Sequence, residues 1–163
     1  ATQVAQNTGT AIGDMTIQGG LAGAFDGVYP GGYTQAAGIN ADVGHIGKDW
    51  GSGNTKTITG IKYWTPNGTN GTFIAGGGTV SVRLEGSSDN STWVNLGQEI
   101  ISNTPATQYS RMSGFTQTAY RYHRLRVEYV SGGGSRADIA ELQFFVSDGG
   151  GKETQLHGWA VNY

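Results

Sequence analysis

Glycine occupies 29 of the 163 positions, and this abundance limits what the chain can fold into more than any other feature. Average usage is about 7%, so glycine is more than twice as frequent here as in a typical globular domain. It follows no three-residue period, which excludes a collagen helix. Because glycine and β-branched residues interrupt every run with a helical period, helices of normal length are not expected. The sequence therefore predicts short strands joined by turns and loops.

Two runs show the alternation of apolar and polar residues that half-buried antiparallel strands require. In residues 79–85, Val80, Val82 and Leu84 fall on one face of the predicted strand and polar residues fall on the other. Residues 123–130 alternate in the same way. Weaker runs predict further strands at residues 57–64, 92–96 and 139–146.

Segments rich in Gly, Asn, Ser and Thr separate the predicted strands, as expected for turns and loops. These segments cover residues 51–54, 66–78, 86–91, 102–114 and 131–135. Roughly the first 50 residues alternate only weakly, and there we expect long loops with at most short strands. Short strands separated by turn clusters are typical of an all-β fold, here an antiparallel β-sandwich or jelly roll.

Charge and composition exclude several classes of function. Twelve acidic and ten basic residues give a net charge of −2, which argues against a nucleic-acid-binding protein. No segment approaches the roughly 20 apolar residues of a membrane-spanning helix, so membrane insertion is not expected. The chain has no cysteine, which excludes disulfides, thiolate metal sites and a thiol nucleophile. Because no nucleophile elbow or metalloprotease motif is present, the chain is predicted not to be an enzyme.

The pattern divides the chain into three parts. Residues 1–20 form an N-terminal segment, and residues 21–146 form the predicted sandwich. Residues 147–163 begin with a glycine-rich hinge and continue with several aromatic and apolar residues. We expect this last part to dock on its own domain or on a neighbour, with an ordinary final strand as the alternative.

Four short motifs follow one another between residues 21 and 146. They are Ala-Phe-Asp-Gly at 24–27, Ile-Gly-Lys-Asp-Trp-Gly at 46–51 with Thr-Ile-Thr-Gly-Ile at 57–61, Gly-Ser-Ser-Asp-Asn-Ser-Thr-Trp at 86–93, and Arg-Tyr-His-Arg-Leu-Arg-Val at 121–127 with Ile-Ala-Glu-Leu at 139–142. In this order and spacing they resemble the discoidin-like, or galactose-binding-like, jelly-roll family. That family includes coagulation-factor type C domains and many carbohydrate-binding modules. The resemblance covers about three quarters of the chain and implies a discoidin-like jelly roll.

The same resemblance implies a structural Ca²⁺ site. In many family members the ion is bound by an early Asp carboxylate, by nearby carbonyl groups, and by an Ala carbonyl and a Glu carboxylate near the end. The matching positions are Asp26, Ala140 and Glu141, while Gly23 and Val28 could add carbonyl oxygens around the turn. Calcium takes roughly six to eight oxygen ligands, which such a set could supply. The alternative is that Asp26 caps its own turn and Glu141 is a solvated strand residue.

Sugar recognition needs an aromatic face for the apolar side of a pyranose and polar groups for its hydroxyls. The loops of a sandwich commonly carry such groups, because the strands hold them rigidly. Aromatic residues that could serve are Tyr29, Tyr33, Trp64, Phe73, Tyr109 and Phe115. Polar partners could be His45, Asn67, Asn70, Arg111 and Arg136. Each aromatic residue could instead pack locally, and Trp50 and Trp93 are expected in the core because their motif positions usually are.

Basic residues cluster in the stretch 121–126 and could suggest a phosphate-binding patch. Glu85, Glu128 and Glu141 lie on strands that could bring them opposite these arginines, so a partly paired, solvated sheet face is expected instead. His123 falls on the inward side of its strand, which predicts a hydrogen-bonded core histidine rather than a ligand.

Two functions from different classes remain. The first is a non-catalytic carbohydrate-binding module that uses its apical loops, plausibly displayed on a virion surface. The alternative is a structural phage virion protein, such as a capsid decoration, head-fibre or tail component, that acts by protein–protein assembly. Thr34-Gln35 and the run 47–51 suggest the alternative, because they also resemble discoidin-like domains of phage structural proteins. The expected partners are glycans or virion and cell-surface proteins, with a possible homo-oligomer and an extracellular or virion-surface location.

Overall fold

The computed structural model describes residues 1–29, 33–66, 78–103, 109–132 and 136–148, and for residues 33 and 109–111 only the backbone. Two short 3₁₀ helices in this part span Leu21–Ala24 and Tyr33–Gln35. The strands are β1 (Thr2–Gln3), β2 (Thr10–Gly13), β3 (Ile17–Gln18), β4 (Ala37–Ile39), β5 (Val43–Asp49), β6 (Gly60–Trp64), β7 (Thr79–Ser87), β8 (Val94–Ser102), β9 (Tyr109–Ser113), β10 (Tyr122–Ser131), β11 (Ala137–Ile139) and β12 (Glu141–Val146). No helix among the described residues has the length and apolarity needed to cross a bilayer.

These strands form two main antiparallel sheets and a small third one. The five-stranded sheet has the order β2-β5-β10-β7-β8, the four-stranded sheet β1-β12-β6-β9, and the small sheet β11-β4-β3. Inward side chains from both main sheets form one hydrophobic core, in which Ile46, Leu84, Leu125, Ile61 and Leu142 are fully buried. The predicted all-β antiparallel sandwich is confirmed. Strands β1 to β3 pair with later strands, so residues 1–20 contribute to all three sheets.

The strongest alternating runs became the central strands β7 and β10, as predicted. The expectation of only loops and short strands in the first 50 residues is wrong, because β5 is a seven-residue strand beside β10. Its inward positions are Gly44, Ile46 and Lys48, and only one of these is a large apolar residue. The hydrophobic alternation that would reveal the strand is therefore absent. The predicted loop at 102–114 is also partly wrong, because β9 lies within it and pairs with β6.

An aromatic cluster occupies the core between the two main sheets. Trp50 is buried and packs edge-on against Phe144, with ring centroids 5.4 Å apart. The Trp50 Nε1–H donates a hydrogen bond of 2.9 Å to His123 Nδ1. The predictions that Trp50 and His123 are core residues are confirmed. Within the described part of the chain, the buried His123 Nε2 has no hydrogen-bond partner.

The contribution of His123 to the stability of the domain is expected to be lost in acid. Burial lowers the pKa of His123 to about 4, from 6.5 for a solvated histidine. Between these values the unfolded state binds the additional proton. The stability that neutral His123 contributes is thus complete above about pH 6.5 and is lost as the pH falls towards 4. The shift corresponds to at most about 3 kcal/mol.

Urea unfolding of the wild type and His123→Gln, from about pH 7.5 to pH 4, measures this contribution. Burial also raises the pKa of Asp138 to about 6 and that of Glu141 to about 7. The stability that these two groups contribute to the folded domain is therefore lost as the pH rises. The difference between wild type and variant removes these opposing contributions and should shrink with acid. His45→Gln, at a half-buried histidine of the outer surface, is the control. A difference that stays constant with pH would contradict the prediction.

The arginines of the outer sheet face are paired. Arg124 donates to Glu85 at 2.7 Å, confirming one predicted pair, and Arg126 pairs with Glu128 on its own strand. Arg121 instead forms a bidentate pair with a different acid, Asp49. The Arg124 guanidinium carbon lies 3.9 Å from the ring centroid of Trp93, over the face of the indole. Trp93 is therefore half-buried on the outer face of the sheet, and the prediction that it lies in the core is wrong.

Candidate functional site

Two aromatic rings are stacked where β6 ends. Ile61 and Tyr63 are fully buried in the core, so the alternation of the strand turns Trp64 to the outer face of the four-stranded sheet. Tyr29 lies in the turn after the first 3₁₀ helix, and its ring centroid is 4.2 Å from that of Trp64. The rings are 30° from parallel, and Tyr29 is 46% exposed. We call these two residues the aromatic pair.

The turn that carries Tyr29, residues 26–29, is held by two carboxylates. Gly27 has a φ of +78°, a conformation that glycine adopts without strain. The Val28 N–H donates to Asp26 Oδ1 at 2.8 Å, and the Gly27 N–H donates to Glu141 Oε2 at 3.2 Å. The first bond lies within the turn, and the second attaches the turn to β12.

Glu141 is a fully buried carboxylate at the start of β12, directly opposite Trp64 in the sheet register. Its Oε1 accepts a hydrogen bond from Gln6 Nε2, which also donates to the Leu142 carbonyl oxygen. Burial raises the pKa of Glu141 to about 7, and the nearby negative charge of Asp26 acts in the same direction. A positive charge placed between Asp26 and Glu141 would relieve this electrostatic penalty.

A buried lysine approaches the same region from the five-stranded sheet. Lys48 Nζ donates to the Gln6 carbonyl oxygen at 2.8 Å and lies 4.3 Å from the ring centroid of Phe25. Burial lowers the pKa of Lys48, and the charge of Glu141 partly opposes that shift. Neither residue was predicted as a site residue, because Gln6 lies in no motif and Lys48, although part of the 46–51 motif, has no ligand role there.

The donor groups around the turn fit a hard cation in their chemistry, since every candidate ligand is an oxygen. Gly23 lies in the first 3₁₀ helix, Val28 in the turn, and Ala140 between β11 and β12. Across residues 1–29, 33–66, 78–103, 109–132 and 136–148, no three His, Asp or Glu side chains cluster as metal ligands. A cation held by Asp26 and Glu141 would thus have two carboxylates and would take its other ligands from carbonyl groups or water.

Among the other residues predicted for sugar binding, those whose side chains the structure describes do not join the aromatic pair. His45 lies on the outer face of the five-stranded sheet, where its Nδ1 is 2.8 Å from Asp14 Oδ2. Phe115 is buried in the core and Arg136 is buried in an ion pair with Asp138, so neither offers a surface platform. Tyr33, Tyr109 and Arg111 have only their backbones described, and Asn67, Asn70 and Phe73 lie outside the described residues.

A second concave surface lies at the end of the sandwich where β7 turns into β8. It is an open cavity of about 320 Å³, lined by Ser88, Asp89, Thr92, Val94 and Tyr120. The Asp89 carboxylate accepts hydrogen bonds from the backbone of its own turn, and these lower its pKa to about 2. Its polar side chain is therefore already used to shape the turn.

Comparison with known proteins identifies the fold. Neither a protein-family model nor a curated protein matches the sequence. Among solved structures, the family 32 carbohydrate-binding module of AlyQ, in complex with 4,5-unsaturated mannuronic acid, has a TM-score of 0.65 and 18% identity. The match covers 90% of this chain and 100% of that one.

Two clostridial modules are similar in the same way. A family 32 module from Clostridium perfringens, in complex with GalNAc-β-1,3-galactose, has a TM-score of 0.68 and 17% identity over 89% of this chain and 100% of its own. The family 62 module of Clostridium thermocellum Xyl5A has a TM-score of 0.62 and 26% identity, and the match covers 90% of this chain and 98% of that one. These modules are discoidin-like, galactose-binding-like jelly rolls, and the predicted discoidin-like fold of this chain is confirmed.

Proposed function

We propose that this domain is a non-catalytic carbohydrate-binding module and that the aromatic pair is its sugar platform. The observation that carries the proposal is the exposed Tyr29 ring, supported from below by Trp64 at a strand end. An aromatic face of this kind packs against the C–H groups of a pyranose, while nearby polar groups bind its hydroxyls.

The structural neighbours support the same class of ligand without identifying the sugar. One is in complex with an unsaturated uronic acid and another with a galactose-containing disaccharide. Because one fold can carry many functions, this similarity supports the proposal only together with the aromatic pair. A glycan-array screen of the purified domain tests the class directly, and specific hits are expected.

Tyr29→Ala is expected to weaken binding to an array-positive glycan about tenfold or more. Truncating an aromatic anchor at the centre of a binding surface commonly costs more than about 1 kcal/mol, and about 1.4 kcal/mol corresponds to tenfold. Isothermal titration calorimetry of wild type and variant measures the loss. Ile100→Ala, which shortens an exposed apolar side chain on the other sheet, is the control. Equal weakening by both variants, or by neither, would argue against the aromatic pair.

We further propose a structural Ca²⁺ held by the carboxylates of Asp26 and Glu141 and by carbonyl oxygens of Gly23, Val28 and Ala140. A ligand that binds only the folded state must stabilise it, by about 2.7 kcal/mol at a hundred times its dissociation constant. We therefore expect the melting temperature to rise with added Ca²⁺ and to fall with EDTA. Glu141→Gln should abolish that response. A wild-type melting temperature that neither addition changes would exclude the site.

Assembly on a virion surface is the second candidate function, and it concerns the end of the chain. Asp148, the last described residue, accepts a hydrogen bond of 2.8 Å from the Ala1 amino group. Asp148 therefore lies beside β1 at one edge of the four-stranded sheet, and the predicted docking residues 149–163 lie outside the described residues. Deleting residues 149–163 keeps this contact. A truncated domain that still folds but no longer self-associates or binds its partner would favour assembly. This second candidate function includes an extracellular or virion-surface location.

A further inference from the structure

We propose that Glu141 is the positioning residue of the sugar platform, because its carboxylate holds the turn that places Tyr29 on Trp64. This inference rests on the proposed function and explains how the platform is held in place. A substitution of Glu141, which need not touch the sugar, would then change the sugar affinity of the platform.

The contacts form a closed cycle. Trp64 and Glu141 are register partners on β6 and β12, and the Ala140 N–H donates to the Trp64 carbonyl oxygen at 2.8 Å. Glu141 Oε2 accepts from the Gly27 N–H, and two residues later the ring of Tyr29 returns to Trp64. Each contact in this cycle fixes the next, so the ring stack and the Gly27–Glu141 hydrogen bond depend on each other.

The carboxylate of Glu141 is itself held in one orientation. Gln6 Nε2 donates both to Glu141 Oε1 and to the Leu142 carbonyl oxygen, so its amide bridges the side chain and the backbone of β12. Glu141 is fully buried, whereas Asp26, Val28 and Tyr29 in the turn are exposed. The rigid part of the cycle is therefore the strand, and the turn is the part that depends on the hydrogen bond to Glu141.

Without the hydrogen bond between Gly27 and Glu141, the Tyr29 ring should be free to separate from Trp64. Sugar binding would then have to bring the ring back into place. The cost of ordering one side chain at an interface should lower the sugar affinity about two- to tenfold. Because Tyr29 and Trp64 themselves remain, the loss should be smaller than that of Tyr29→Ala.

Fluorine NMR of protein labelled with meta-fluorotyrosine tests the positioning without any sugar, and it is recorded in EDTA so that loss of Ca²⁺ from Glu141 cannot cause the displacement. The ring current of Trp64 should shift the Tyr29 signal, which Tyr29→Phe assigns, and Trp64→Leu gives its position without the stack. In Glu141→Met, which has no acceptor for Gly27, the signal should move towards the Trp64→Leu position. Glu141→Asp shortens the side chain by one methylene but keeps the charge. If Glu141→Met does not fold, Glu141→Asp tests the same point, and its Tyr29 signal should move in the same direction.

Asp138→Asn is the matched control, since Asp138 is another buried carboxylate but bonds to Arg136 rather than to the turn. Its Tyr29 signal should stay at the wild-type position. A Tyr29 signal that is unchanged in a folded Glu141 variant, or displaced equally in Asp138→Asn, would overturn the proposal. Failure of the proposed function would be seen separately, as a wild-type protein that binds no glycan.

Discussion

Gly47→Ala is expected to destabilise this domain strongly, by about 4 kcal/mol or more. Gly47 lies in β5, between β2 and β10, and a Cβ atom there would stand 2.0 Å from the His123 carbonyl oxygen and 2.5 Å from Arg124 Cα. These atoms belong to the backbone of a central strand and cannot rotate away as a flexible side chain could. The substitution must therefore separate β5 from β10.

Chemical unfolding followed by circular dichroism measures the free energy lost in Gly47→Ala. Gly60→Ala is the matched control, because Gly60 also lies in a strand but its added Cβ would come no closer than 3.3 Å to a neighbour. That control should lose about 1 kcal/mol or less. A Gly47→Ala protein as stable as Gly60→Ala would show that β5 and β10 do not pair as described.

Trp50→Ala is expected to cost about 3–5 kcal/mol, the usual range for truncating a large buried aromatic side chain. Trp50 packs against Phe144 and His123, so its removal leaves a cavity between the two main sheets. It also removes the donor that satisfies His123 Nδ1 and leaves a buried acceptor without its partner. The two effects add to each other.

Trp50→Phe separates these effects, because it keeps an aromatic ring but lacks the N–H donor. We expect it to retain roughly half of the stability that Trp50→Ala loses. Trp93→Ala, at a half-buried tryptophan on the outer face, should cost less than Trp50→Ala. Equal losses at Trp50 and Trp93, measured by the same unfolding experiment, would contradict the placement of Trp50 in the core.

Strands could be predicted where apolar and polar side chains alternate, but not where the pairing of a strand depends on close contacts between backbones. Strands β7 and β10 carry large apolar residues at most of their inward positions, the exceptions being Gly86 and His123, and the alternation marked both strands correctly. Strand β5 has Gly44 and Lys48 at inward positions, so its pairing depends on close backbone approach that hydrophobicity does not record. Strand β9 is short and largely polar, and it is specified by its register with β6.

The candidate site was predicted in its parts but not as an assembly. The motifs placed Asp26 and Glu141, and the residue type suggested Tyr29 and Trp64, yet no spacing indicated that the two rings would stack. That contact requires the fold to bring together residues 35 positions apart, which only the sheet register and the Gly27 turn determine. Gln6 could not be predicted for the same reason, because it reaches Glu141 from the opposite end of the chain.

An NMR titration of the isotope-labelled domain with an array-positive oligosaccharide tests the central claim most directly. We predict that the Trp64 indole N–H and the backbone amides of residues 26–29 shift in a saturable manner, while signals from the cavity beside Tyr120 do not. Saturable shifts centred on Tyr120 and Val94, with residues 26–29 and Trp64 unchanged, would contradict the assignment of the aromatic pair as the sugar platform.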